Sequence, residues 1–91
     1  MELRWTEEAV GDLERIADYL FEHTPDGAER LVRALYDSPN TLLTFPNRGR
    51  PGKKEGTREL VTSPLPYTVV YTVRGDAVYV VRILHGAQQW P

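Results

Sequence analysis

Residues 67–84 read Tyr-Thr-Val-Val-Tyr-Thr-Val, then Arg-Gly-Asp, then Ala-Val-Tyr-Val-Val-Arg-Ile-Leu. Two runs rich in β-branched and aromatic residues, joined at a glycine, specify a tight β-hairpin. In the first run Tyr67, Val69, Tyr71 and Val73 share one face and Thr68, Val70 and Thr72 the other. The second run, 77–84, is apolar on both faces, which marks a central strand. The turn accounts for the glycine, so Arg74-Gly75-Asp76 is read as a hairpin and not as a cell-adhesion signal. A third run, 57–62, precedes the turn Ser63-Pro64-Leu65-Pro66. It predicts three antiparallel strands with 67–73 in the middle.

The upstream half supplies what covers this sheet. Glu2–Trp5 is a short strand candidate. Thr6 then reads as a helix N-cap, with Glu7 and Glu8 in the first turn where the helix dipole favours carboxylates. Val10, Leu13, Ile16, Ala17, Leu20 and Phe21 recur at helical spacing. The helix is predicted to stop before Thr24-Pro25, with His23 as a partner for its C-terminal dipole. A second helix is predicted to start with Thr24 as cap and Pro25 at the first position, its stripe being Ala28, Leu31, Val32, Leu35 and Tyr36. Ser38-Pro39 predicts a kink or restart. Residues 46–56 hold two prolines, three glycines and four basic residues, which predicts a loop of the kind that binds a partner. The expected architecture is β-α-α-β-β-β: an α+β fold in which a two-helix hairpin packs on a mainly antiparallel, curved sheet, as one domain over residues 1–91.

Charge is divided along the chain. Residues 1–45 carry four basic and ten acidic side chains, a balance of −6; residues 46–91 carry seven basic and three acidic ones, a balance of +4. Such a division predicts a cationic face that meets an anionic partner, or else a helical half with a solvated acidic face. The chain has no cysteine, so disulfides and thiolate metal sites are excluded. Its first residues lack the basic-then-apolar pattern of a signal peptide, and no apolar run is long enough to span a bilayer. A cytoplasmic protein with no membrane partner is the expectation. No phosphate-binding loop, zinc-protease motif or nucleophile elbow occurs, and no cofactor or metal is predicted.

Arg82 interrupts a run that otherwise belongs in a core. A guanidinium there needs either a carboxylate, with Glu59 across the sheet as a candidate, or a wet cleft in which it holds an anion. Arg58 lies on the 57–62 strand and falls near Tyr71 in the predicted strand order; Arg82 falls near Thr68 or Val69. The expectation is that both arginines point to the same open face, beside His85, with Arg50, Lys53 and Lys54 adding charge from the loop. An arginine fork grips phosphate, and a histidine can move a proton near neutral pH. Arginine and lysine can also stabilise a phosphorane-like transition state. No carboxylate or tyrosine is fixed by spacing as a further partner.

The ordered set Trp5-Thr6-x-x-Ala9, Asp12-Leu13-x-x-Ile16, Phe45-Pro46-x-x-Gly49-Arg50-Pro51-Gly52, Gly56-Thr57-Arg58-Glu59-Leu60, Pro66-Tyr67-x-Val69-Val70-Tyr71 and Arg82 through Pro91 resembles the RelE/ParE family of bacterial type II toxins. The resemblance covers nearly the whole chain. It implies a toxin neutralised by a cognate antitoxin, which also contacts operator DNA. It implies one of two targets: DNA gyrase for ParE-like members, or mRNA in the ribosome for RelE-like members, which are endoribonucleases. Arg58 and Arg82 match the two sheet arginines of the nuclease type, His85 lies near the place of its terminal acid/base, and Lys53 and Lys54 roughly match its loop lysines. The tail after His85 has no tyrosine and the chain is acidic overall, with a sequence pI of about 5.6. Both departures favour the gyrase-inhibiting type over the nuclease. A detoxified binding module is a third reading.

Overall fold

The computed structural model describes residues 1–86 and 88–91. In chain order the elements are β1 (Glu2–Trp5), α1 (Glu7–His23), α2 (Ala28–Asp37), a 3-10 helix (Ser38–Leu43), β2 (Arg50–Pro51), β3 (Arg58–Val61), β4 (Tyr67–Arg74) and β5 (Ala77–His85). One five-stranded sheet has the order β1-β5-β4-β3-β2. β1 runs parallel to β5, and the remaining neighbours are antiparallel. β5 is therefore flanked on both sides, as its doubly apolar sequence requires.

Local chemistry explains most boundaries. The Thr6 side chain accepts the Ala9 N–H and caps α1. His23 Nδ1 lies 3.0 Å from the Tyr19 carbonyl at the other end. Gly75 adopts φ +57°, the left-handed conformation that the two-residue hairpin turn demands. Pro39 sits in the first turn of the 3-10 helix, so the predicted restart is observed. The start of α2 differs from expectation. Thr24 is already engaged as the C-cap of α1, its N–H bonded to the Leu20 carbonyl, and its own carbonyl accepts the Gly27 N–H in a turn. Helical bonding resumes only when Leu31 N–H reaches the Gly27 carbonyl, so Pro25 lies in the turn and not in the helix.

The core forms where the helices meet one face of the sheet. Leu35 and Leu42 pack with Val69, Tyr71, Val78, Val80 and Ile83, all of them 0–1% exposed. From α1 the inward line is Ala9, Leu13, Ile16 and Leu20, alternating steps of four and three residues. Val10 and Phe21 were expected on this stripe but remain exposed. Each lies one residue, about 100°, past an inward position, which puts it on the flank of the helix.

Two features were not legible in the pattern. The predicted loop contains β2, whose Arg50 pairs with Glu59 and Pro51 with Arg58. In addition, β5 carries a bulge: Val70 pairs with Arg82 and Tyr71 with Val80, leaving Val81 without a partner on β4. The extra residue lets Val80 and Ile83 both face the helices although they are three apart. It also moves Arg82 from its expected place opposite Thr68 or Val69.

Candidate functional site

Arg82 and Arg58 do not converge. Arg82 is drawn to α1, where its Nε donates to Asp12 Oδ2 at 2.7 Å and Nη2 to Oδ1 at 3.1 Å. The fork matches a carboxylate edge, the strongest geometry open to this pair. Asp12 Oδ2 also accepts the Ile83 N–H at 2.9 Å, and Arg15 donates to Oδ1. β1 ends at Trp5, opposite Val80, so beyond that point β5 has no strand on this side. In its place the Thr6 hydroxyl donates to the Val81 carbonyl and the Asp12 carboxylate accepts the Ile83 N–H. The helix thus completes the edge hydrogen bonding of the strand.

Burial alone would push the Asp12 carboxyl up. The hydrogen bonds from Arg82 and the Ile83 N–H, the Arg82 charge and the Arg15 bond outweigh that and hold it below its ordinary value. Arg82 is correspondingly held more firmly protonated, chiefly by its hydrogen bond to Asp12. Glu8 lies 4.0 Å away and adds to the same effect. The expected open-face arginine is an internal ion pair, and its carboxylate is Asp12 and not Glu59. Glu59 instead takes Arg50, with Nη2 at 3.0 Å and Nε at 3.1 Å.

Arg58 holds the loop before it. Its Nη1 donates to the Gly49 carbonyl at 2.7 Å and reaches that of Asn47 at 3.4 Å. Tyr71, fully buried on the neighbouring strand, donates its hydroxyl to the Pro46 carbonyl at 2.7 Å and accepts the Gly49 N–H at 2.9 Å. A Cβ on Gly49 would lie 2.7 Å from the Tyr71 ring and 2.8 Å from the Glu59 carbonyl, so only glycine fits this approach. Two side chains of the sheet thereby fix residues 46–49.

The other expected site residues lie on two further surfaces. Lys53 and Lys54 are exposed, and among the described residues neither has an ion-pair partner. Arg50, Lys53 and Glu59 line a cleft of about 100 Å³ with Thr68, Leu84, His85 and Trp90. Thr68 and Leu84 pair with each other and alternate with the inward Val69 and Ile83, so the cleft is on the face opposite the helices. His85 is exposed, sits edge-on to Tyr67 with ring centroids 5.9 Å apart, and donates its backbone N–H to Gln88. Of the three residues proposed for catalysis, only His85 borders this cleft. On the helix side, a groove of about 550 Å³ runs between Ile16, Tyr19 and Leu20 of α1, Leu31 of α2, and Leu65 and Pro66 of the β3–β4 turn.

Asp12 is the residue that sequence reasoning missed. It falls in the acidic half of the chain, where a solvated face is the ordinary place for a carboxylate, yet it is 4% exposed. The signal was its position: it stands three residues after Ala9 and four before Ile16, inside the inward line.

Residues 3–90 match the family model of the ParE toxin of type II toxin-antitoxin systems. A putative toxin of Sinorhizobium fredii, Y4kP, is 37% identical over 89 residues, covering 98% of this chain and 92% of that protein. Toxin RelE2 of Caulobacter vibrioides is 38% identical over 84 residues, covering 92% and 93%. Among solved structures, the chromosomal ParDE system from P. aeruginosa superposes with a TM-score of 0.85 at 27% identity, covering 93% of this chain and 95% of that one. The toxin-antitoxin complex RelBE2 from Mycobacterium tuberculosis gives 0.67 at 23% identity over 92% and 95%, a likeness of fold.

Proposed function

From the fact that the chain belongs to the RelE/ParE family of type II toxins, we propose that it arrests growth by binding DNA gyrase, as a ParE-like inhibitor and not as a nuclease. The observation that carries this reading is the Arg82–Asp12 pair. An RNA-cleaving site on the sheet needs its guanidinium aimed at a phosphate, whereas here the fork is filled by a buried carboxylate. Freeing it would strand the Asp12 charge away from water. Arg58, the second arginine such a site would use, turns its Nη1 to loop carbonyls. No tyrosine follows His85 to stack on a base.

The target-binding surface in this reading is the loop bearing Arg50, Lys53 and Lys54, which Arg58 holds in shape. Arg82 serves the fold. A cognate antitoxin neutralises the toxin by laying an amphipathic segment into the apolar groove between the two helices and the β3–β4 turn. Contact with operator DNA then runs through the antitoxin.

The runner-up is a ribosome-dependent mRNA endoribonuclease. The name RelE2 given to one relative favours it, as does the position of His85 beside Arg50 and Lys53 at one cleft. Purified toxin added to gyrase separates the two. Loss of supercoiling with accumulation of cleaved plasmid supports gyrase inhibition, and no effect at stoichiometric excess ends that reading. Codon-linked mRNA cuts in arrested cells with intact gyrase activity would establish the runner-up.

A further inference from the structure

Resting on the gyrase reading, we infer that the cationic loop and its cleft bind the phosphodiester backbone of DNA, so that the toxin engages gyrase together with the DNA it carries. Residues 48–55 contain Arg48, Arg50, Lys53 and Lys54 against the single acid Glu55, a local balance of +3 in a chain whose total is −2. Glu59 lines the same cleft and offsets part of this charge through its ion pair with Arg50. It is 11% exposed and braces Arg50, whose own side chain stays 64% exposed. Lys53 and Lys54 have no ion-pair partner among the described residues.

The loop is also built and not slack. Tyr71 and Arg58 hold its first residues through four hydrogen bonds. The β2–β3 pairing holds Arg50 and Pro51, and the Gly52 N–H bonds to the Thr57 carbonyl. A backbone fixed in this way presents its cations at a lower ordering cost than a slack loop would.

Size and position select the ligand. The cleft holds about 100 Å³, well under the roughly 300 Å³ at which small-molecule sites begin. It accommodates a phosphate but not a base with its sugar, so the contact is to backbone and independent of sequence. The acidic helical half repels the same polyanion, which orients the toxin with this loop toward DNA.

The test is fluorescence anisotropy of the full chain with a labelled duplex of about 20 base pairs, at several salt concentrations. The expected Kd lies between about 1 and 100 µM at physiological salt and tightens at lower salt, and log K falls with log salt by about 0.9 for each phosphate neutralised. Lys53→Ala/Lys54→Ala lowers that slope by about two. Both lysines are exposed, so the fold is kept; Arg74→Ala, at the hairpin end of β4, leaves the slope unchanged. No binding at about 100 µM, a slope unaltered in the double variant, or binding to an RNA duplex but not to DNA overturns the inference. Wild-type inhibition of gyrase without DNA affinity does so too while leaving the gyrase reading intact. DNA affinity without gyrase inhibition supports the phosphate site and removes its proposed target.

Discussion

The Arg82 guanidinium meets the Asp12 carboxylate at 2.7 Å, and that same carboxylate takes the Ile83 N–H of the strand that carries Arg82. One buried acid therefore does two jobs. It neutralises a cation in the central strand, and it closes the stretch of that strand's edge which β1 leaves open.

Asp12→Asn is expected to destabilise the protein by about 3 kcal/mol, because a half-buried guanidinium loses its counter-charge. Urea unfolding at neutral pH reads this as a lower midpoint with an unchanged slope. Asp12→Leu/Arg82→Leu is expected to lose less than Asp12→Asn, since no charge is stranded. A larger loss would show that the Ile83 hydrogen bond, and not the ion pair, dominates.

Stability should depend on acid through the same residue. The folded-state pKa of Asp12 is depressed, so its contribution is complete above the ordinary carboxylate value of 3.8 and drains away as pH falls through the lower folded value. Wild type loses stability below about pH 4 more steeply than Asp12→Asn does. Denaturation midpoints measured from pH 7 to 2.5 check this; parallel curves for the two proteins refute it.

Tyr71→Phe removes the hydroxyl that serves both Pro46 and Gly49. A buried N–H then loses its acceptor, which costs about 1–3 kcal/mol. Amide exchange at Gly49 should speed up while exchange within α1 stays in step with global stability. Gly49→Ala should cost at least as much, since its Cβ meets backbone as well as ring at under 3 Å.

Arg82→Ala separates fold from chemistry. If Arg82 serves only the fold, growth arrest falls in proportion to the folded fraction and returns when expression temperature is lowered. A folded, soluble Arg82→Ala protein that no longer arrests growth would place the guanidinium in the target contact.

The secondary structure was largely legible in the sequence because its marks are local. The helix cap at Thr6, the glycine of the 74–76 turn and the strand periodicity of 67–73 each follow from neighbours a few residues apart. The candidate site was only partly legible. The strand order puts Arg58 near Tyr71, and the two are paired, but no local rule says that Arg58 turns to the carbonyls of residues 47 and 49. Arg82 needed a partner by the cost of burying charge, and it has one; the choice of Asp12 over Glu59 depends on a strand meeting a helix seventy residues earlier in the chain.

The sequence by itself determined most of the elements, the central place of the last strand and the charge division, since these rest on periodicity, turn chemistry and composition; the family followed from the resemblance of its ordered motifs. Tertiary structure alone decided which cations remain available to a target. The bulge at Val81 and the short β1 bring Arg82 within reach of Asp12, which withdraws it, whereas β2 braces Arg50 against Glu59 and leaves its side chain 64% exposed. A one-residue insertion shifts a strand's pairing without altering its hydrophobic character, so such a shift is set by three-dimensional packing and leaves no trace in the pattern of residues.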